Sequence, residues 1–212
     1  MNTKFTILSV IATLFLPQLA QADPRADVQL FVSGERLAFD STGHEKAKGV
    51  RVKIFYPKTW KAREGDRPNI IQKLVSNNGT GSAMVGVQSI LLPEVKVELT
   101  RDEKKEMVAE EFMKMFVPTD AKLVSYKLTA LDGEPCGMIE VSKIVDRAGL
   151  KLVVFTTIYV VPMKGAALSI STSFGGNAAD GVEAVETRYR EVKPILQLIA
   201  SSCVFLDKWE KK

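Results

Sequence analysis

Imidazole and thiol are the side chains most often recruited for acid–base, nucleophilic and metal chemistry, and this 212-residue chain holds one histidine and two cysteines. A catalytic triad needs a base, and His44 stands between Gly43 and Glu45 in a loop-like stretch, where a histidine reads as a solvated surface residue. Zinc centres of the usual kind need three or four Cys and His ligands, which one histidine and two cysteines read as bridged to each other cannot supply, so no metal and no cofactor are expected. Glu98, Asp102, Glu103, Glu106, Glu110 and Glu111 form the one dense run of carboxylates. Paired carboxyl groups serve glycoside hydrolysis, but these lie on or near a capped helix whose exposed face favours such residues anyway. Asn78-Gly79-Thr80-Gly81-Ser82 superficially looks like a phosphate-cradling loop; it lacks the following Lys and opens a strand, so it reads as a turn. Ser173, Ser201 and Ser202 lack the context of a nucleophile elbow. The expectation is a chain with no catalytic residues.

One asymmetry remains. From Lys46 to Lys73 stand Lys46, Lys48, Arg51, Lys53, Lys58, Lys61, Arg63, Arg67 and Lys73 against Glu64 and Asp66 alone, with Phe55, Tyr56 and Trp60 among them. Cations interleaved with aromatics suit an anionic partner surface, and Trp60 with Lys58, Lys61, Arg63 and Arg67 is the candidate contact set. A solvated strand edge whose charges discourage aggregation accounts for the same residues equally well. The overall net charge of +4 is too weak to indicate nucleic acid.

These residues must be placed by a fold, and the chain's 46% hydrophobic and 25% charged content suits an ordinary globular domain. Residues 1–22 read as a cleaved signal peptide: Lys4, an apolar run from Phe5 to Leu16, and a small-residue site ending at Ala22. The apolar run is too short to span a bilayer, and no comparable run follows it. The mature protein is thus expected to be exported to the periplasm without a transmembrane segment. In that oxidising compartment an even cysteine count reads as a bridge, Cys136 to Cys203, worth about 2–4 kcal/mol.

Residues 23–49 carry a weak pattern and are expected to be a loosely structured N-terminal segment. A single α+β domain follows over 50–206, with a charged, fraying tail over 207–212. Val50, Val52, Ile54 and Tyr56 alternate as a strand, and strands are expected over 69–75 and 83–92. Thr100-Arg101-Asp102-Glu103 is a capping box that should open a helix with Val108, Phe112, Met115 and Phe116 on one stripe, Pro118 ending it. The methionines at 107, 113 and 115 are read as core packing. An antiparallel meander follows over 123–130, 136–145, 150–161 and 166–174, its turns at Asp132-Gly133, Asp146 to Gly149 and Pro162 to Gly165. The last helix begins near Asn177 or Asp180, with Val182, Val185, Tyr189, Val192, Leu196, Ile199 and Cys203 on one face; it should kink at Pro194.

The order of strand, P-x-x-W loop, strands, helix, meander and long C-terminal helix resembles the Mog/PsbP-like superfamily, which includes PsbP and the bacterial DcrB-like proteins. Phe55-Tyr56-Pro57-Lys58-Thr59-Trp60, the strand pair flanking Asp146 to Gly149, and Ser171-Thr172-Ser173-Phe174 with the following helix carry the resemblance, over about residues 28–206. It implies an antiparallel sheet flanked by helices on both faces, an α/β/α sandwich, and accessory, docking or chaperone roles without shared catalytic residues. The lack of a lipobox departs from some bacterial members. The function expected is a periplasmic, non-enzymatic binding or accessory protein that contacts a protein or anionic envelope partner. Two alternatives stand beside it, an inhibitor or immunity protein that neutralises a periplasmic toxin, and a carboxylate-dependent cell-envelope hydrolase.

Overall fold

The computed structural model describes residues 23–147 and 149–210. The expected signal peptide, Ala148 of the second meander turn, and the last two residues of the tail lie outside the described residues. Among those described, no helix is long and apolar enough to cross a membrane.

Proline at the first turn of a helix costs no hydrogen bond, and Asp23 before it is a good N-cap. Helix α1 (Pro24–Val32) accordingly starts here, with the Asp23 carboxylate accepting from the amide of Arg25. Strand β1 (Arg36–Asp40) follows and pairs with β2 (Val52–Pro57) in a small sheet completed by β10 (Val204–Phe205). The N-terminal segment is therefore ordered, contrary to the weak pattern in its sequence. Its order comes from packing: α1 lies against the last helix and β2, and Phe31 enters the core.

The large sheet is antiparallel throughout, in the order β3-β4-β5-β9-β8-β7-β6. Strands β3 (Lys61–Glu64), β4 (Ile70–Val75) and β5 (Ala83–Leu91) form one side, with the single turn α2 (Ser76–Gly79) between the latter two. The meander supplies β6 (Lys122–Leu131), β7 (Glu134–Arg147), β8 (Leu150–Met163) and β9 (Ala166–Asn177). Asp132 and Gly133 both adopt positive φ, +46° and +78°, as a two-residue hairpin turn with the sheet's twist requires. The edge strand β3 is too short and too charged to show a strand pattern in the sequence.

Helix α5 (Val182–Ser201) runs through Pro194 without interruption and packs mainly on β9, β5 and β8, with β2 of the small sheet on its other flank. Its buried residues include Val185, Tyr189, Val192, Leu196 and Ile199, as the spacing predicts, whereas Val182 is half exposed. Ser202 ends the helix by donating to the carbonyl of Phe55 (3.2 Å) and accepting from its amide (2.9 Å).

The opposite face of the sheet is covered over β6, β7 and β8 by residues 101–116. The capping box forms, with Thr100 Oγ1 accepting from the Glu103 amide and the Glu103 carboxylate from the Thr100 amide. The helix it opens is not continuous. Three-residue bonds from Val108 and Ala109 back to Lys105 and Glu106 close α3 (Arg101–Met107), and α4 (Glu110–Met113) then restarts. This break turns the stripe: Met113 is fully buried beside Val108, and Met115 is exposed. Gly137 makes the close approach possible, since a Cβ there would stand 2.9 Å from Val108 Cβ and 2.5 Å from Met113 Sδ.

The charged tail is docked as far as Glu210. Arg51 reaches Asp207 (2.9 Å) and Glu210, Lys208 reaches Glu134 (3.0 Å), and the Trp209 indole donates to Asp132 (3.1 Å).

Candidate functional site

The basic segment divides into a buried anchor and an exposed edge. Trp60 is 3% exposed, and its Nε1–H donates to Asp27 Oδ2 at 2.8 Å. Asp27 is itself 4% exposed and accepts at its other oxygen from the Thr59 hydroxyl. The expectation that Trp60 meets a partner is thus corrected: its ring fills the core and its one polar atom is taken by a carboxylate that α1 delivers. Nothing near Trp60 in sequence signals this; the Asp23-Pro24 helix start would have, had the N-terminal segment been read as a helix.

Pairing removes part of the expected positive charge. Lys46 bonds Glu64 (2.7 Å) and the Gly65 carbonyl (2.6 Å), Lys73 bonds Asp66 (2.7 Å), Lys58 pairs with Glu35, and Arg51 with the tail. The Lys46 ammonium holds the Glu64 carboxyl below its ordinary range, and Lys73 does the same for Asp66. Lys61, Arg63 and Arg67 make no ion pair among the described residues. The first two stand on β3, all four residues of which are exposed, at the outer edge of the large sheet. Arg63 lies opposite Lys73 in register and its guanidinium rests on Gly79, where a Cβ would come within 2.7 Å of it.

Beside this edge is a cleft of about 640 Å³. Its walls come from Trp60, from residues 76–83 and from α5, and its polar groups include Ser76, Thr80, Arg188 and Glu191. The loop is held by Asn77 and Asn78 in left-handed backbone (φ +49° and +52°) and by a bond from the Asn78 amide to the Thr59 carbonyl (2.7 Å). It is a turn joining β4 to β5, as its sequence suggests. Arg188 bonds Asp180 at 2.6 Å through Nη2, while its buried Nε has no partner.

His44 caps the short turn Glu45–Ala47, its Nδ1 accepting from the Lys46 amide at 3.2 Å. The carboxylates of α3 are surface residues. Lys105 lowers Asp102, and the Thr100 amide and hydroxyl lower Glu103, the opposite of what a general acid requires. Among the described residues, no three His, Cys, Asp or Glu side chains gather as a metal site.

The cysteines depart from expectation. Cys136 on β7 and Cys203 after α5 are both free thiols, 0% and 2% exposed within the same core. Burial pushes the Cys136 thiol up to about 12 and raises Cys203 as well. Each acts as a small apolar side chain, and the Cys136–Cys203 bridge is absent from this structure.

No known family pattern matches this chain, and no curated protein matches it. Solved structures do. Cyanobacterial PsbP (CyanoP) from Synechocystis is 18% identical, with a TM-score of 0.50 over 81% of this chain and 92% of its own. The Saccharomyces cerevisiae Ran-binding protein Mog1p is 9% identical, with a TM-score of 0.50 over 82% and 97%. The connectivity, the sandwich of helices about an antiparallel sheet and these two likenesses agree: the chain has the Mog/PsbP-like fold.

Proposed function

We propose that this is an exported, non-enzymatic accessory protein of the periplasm that binds a protein or anionic envelope partner along strand β3. The observation that carries the reading is the free sheet edge, where Lys61 and Arg63 are exposed and, with Arg67 in the following loop, make no ion pair among the described residues. An unpaired strand edge offers backbone donors and acceptors to an extended segment, and the cations select an acidic one. Lys58, already paired with Glu35, flanks this surface, and Trp60 contributes by fixing the turn before β3. Mog1p is described as a Ran-binding protein, so a protein of this fold does bind a macromolecular partner. Export fits the local structure: cleavage after Ala22 leaves Asp23 in place as the cap of α1.

The test is site-specific photo-crosslinking from position 62 in intact cells, comparing the wild type with a Lys61→Glu, Arg63→Glu, Arg67→Glu variant. Loss of a discrete cross-linked species in the variant supports the surface. An unchanged cross-linking pattern in a correctly folded variant removes it. Mass spectrometry of the purified periplasmic protein should give Asp23 as its first residue.

A further inference from the structure

Residues three or four apart on a helix share a face, and one such stripe of α5, Arg188, Glu191, Val192 and Ile195, walls the cleft that α1 and the 76–83 loop close from the other sides. The cleft's volume of about 640 Å³ lies in the range of roughly 300–1,000 Å³ that holds a small organic ligand.

Its floor is apolar and belongs to the core. The Trp60 and Phe174 rings, with Ala83, Val192 and Ile195, are all buried and all line the cleft. Trp60 is held in place by Asp27, whose two oxygens are taken by the indole N–H and the Thr59 hydroxyl. The floor is therefore fixed without any ligand.

The polar groups of the walls are not all used. Arg188 commits Nη2 to Asp180 (2.6 Å), but its Nε is buried without a partner, and Nη1 has none among the described residues. A buried donor left unpaired is rare in native proteins and marks a missing acceptor. Glu191, one turn further along α5, is exposed and makes no ion pair among the described residues. Ser82 on the loop is exposed, and its side chain makes no hydrogen bond among them either.

Charge selects the class of ligand. A simple anion would answer Arg188 but would share the cleft with the carboxylates of Asp23, Asp27 and Glu191. A simple cation would suit those carboxylates and leave the Arg188 donors unmet. A zwitterion answers both, and side chains three apart on a helix stand about 5–6 Å from each other at Cβ, a span that an adjoining carboxylate and ammonium can bridge.

We infer that this cleft binds a free α-amino acid with an apolar side chain, its carboxylate accepting from Arg188, its ammonium donating to Glu191 and its side chain lying over Trp60 and Phe174. Calorimetric titration of the purified protein with L-phenylalanine and L-leucine tests this against 3-phenylpropanoate, which lacks the ammonium, and 2-phenylethylamine, which lacks the carboxylate. We expect saturable binding of at least one amino acid and, where it is L-phenylalanine, binding of each analogue at least tenfold weaker. Arg188→Gln should weaken the amino acid tenfold or more and leave 2-phenylethylamine no weaker. Glu191→Gln should weaken the amino acid several-fold and leave 3-phenylpropanoate no weaker. Ser82→Trp fills the cleft from an exposed position and alters neither charged group; it should abolish binding at an unchanged unfolding temperature, so the test does not depend on Arg188→Gln keeping its fold. Absence of saturable binding of either amino acid, or binding untouched by Ser82→Trp, overturns the inference. Binding of 3-phenylpropanoate or 2-phenylethylamine as tight as that of L-phenylalanine overturns the zwitterion.

Discussion

The indole N–H of Trp60 and the carboxylate of Asp27 meet at 2.8 Å in the core, joining the turn after β2 to the first helix. Two donors, Trp60 and Thr59, share that carboxylate, so its burial is compensated. Trp60→Phe keeps most of the ring volume and removes one donor; it should cost about 1–3 kcal/mol in urea unfolding. Asp27→Ala orphans the indole N–H and should cost at least as much, while also loosening α1 to proteolysis. Stability of both variants equal to wild type would contradict the assignment of Trp60 as an anchor.

Cys136 and Cys203 are buried thiols whose raised pKa values disfavour the reactive thiolate. Iodoacetamide at pH 8 should leave both unmodified in the native protein and alkylate both once urea is added without reductant. A mass unchanged by alkylation in urea would mean that they are bridged.

Gly137 holds the sheet and the α3–α4 segment in close contact, with Val108 and Met113 directly over it. Met113 can move its flexible end, but Val108 Cβ cannot retreat without displacing backbone. Gly137→Ala is expected to destabilise by about 1–3 kcal/mol through overpacking. Thermal unfolding measures this, and Gly149→Ala cannot serve as the control because Gly149 has positive φ.

Acid should release the C-terminal anchor. Burial works to raise the Glu134 carboxyl, yet hydrogen bonds from the Lys104 and Lys208 ammonium groups outweigh it and hold the group below its ordinary value of 4.5. A carboxyl lowered by folding contributes stability above its unfolded pKa and loses it as pH falls through the folded one. The unfolding temperature should therefore drop as pH falls below about 4.5, and Glu134→Gln should flatten that limb while lowering stability at pH 7. Parallel curves for the variant and wild type would remove Glu134 from this role.

Much of the sheet was legible because its information is local. The Asp132-Gly133 turn, the alternation in the meander and the stripe on α5 are each encoded by residues a few positions apart, and the α+β sandwich is what the family resemblance carried by their order implies. Likewise the capping box at Thr100 states where α3 begins. Burial is different, because it depends on what the rest of the chain brings near. Trp60 amid lysines and arginines has the composition of a contact surface, and only Asp27, 33 positions earlier, makes its burial tolerable. The basic run loses much of its charge to Glu35, Asp207 and Glu210, none of them within it, leaving Lys61, Arg63 and Arg67 as its free edge. The sequence by itself determined the meander, the start of α3 and the scarcity of histidine and cysteine. Tertiary structure alone decided which aromatics, thiols and cations face solvent, since desolvation and ion pairing are set by neighbours in space.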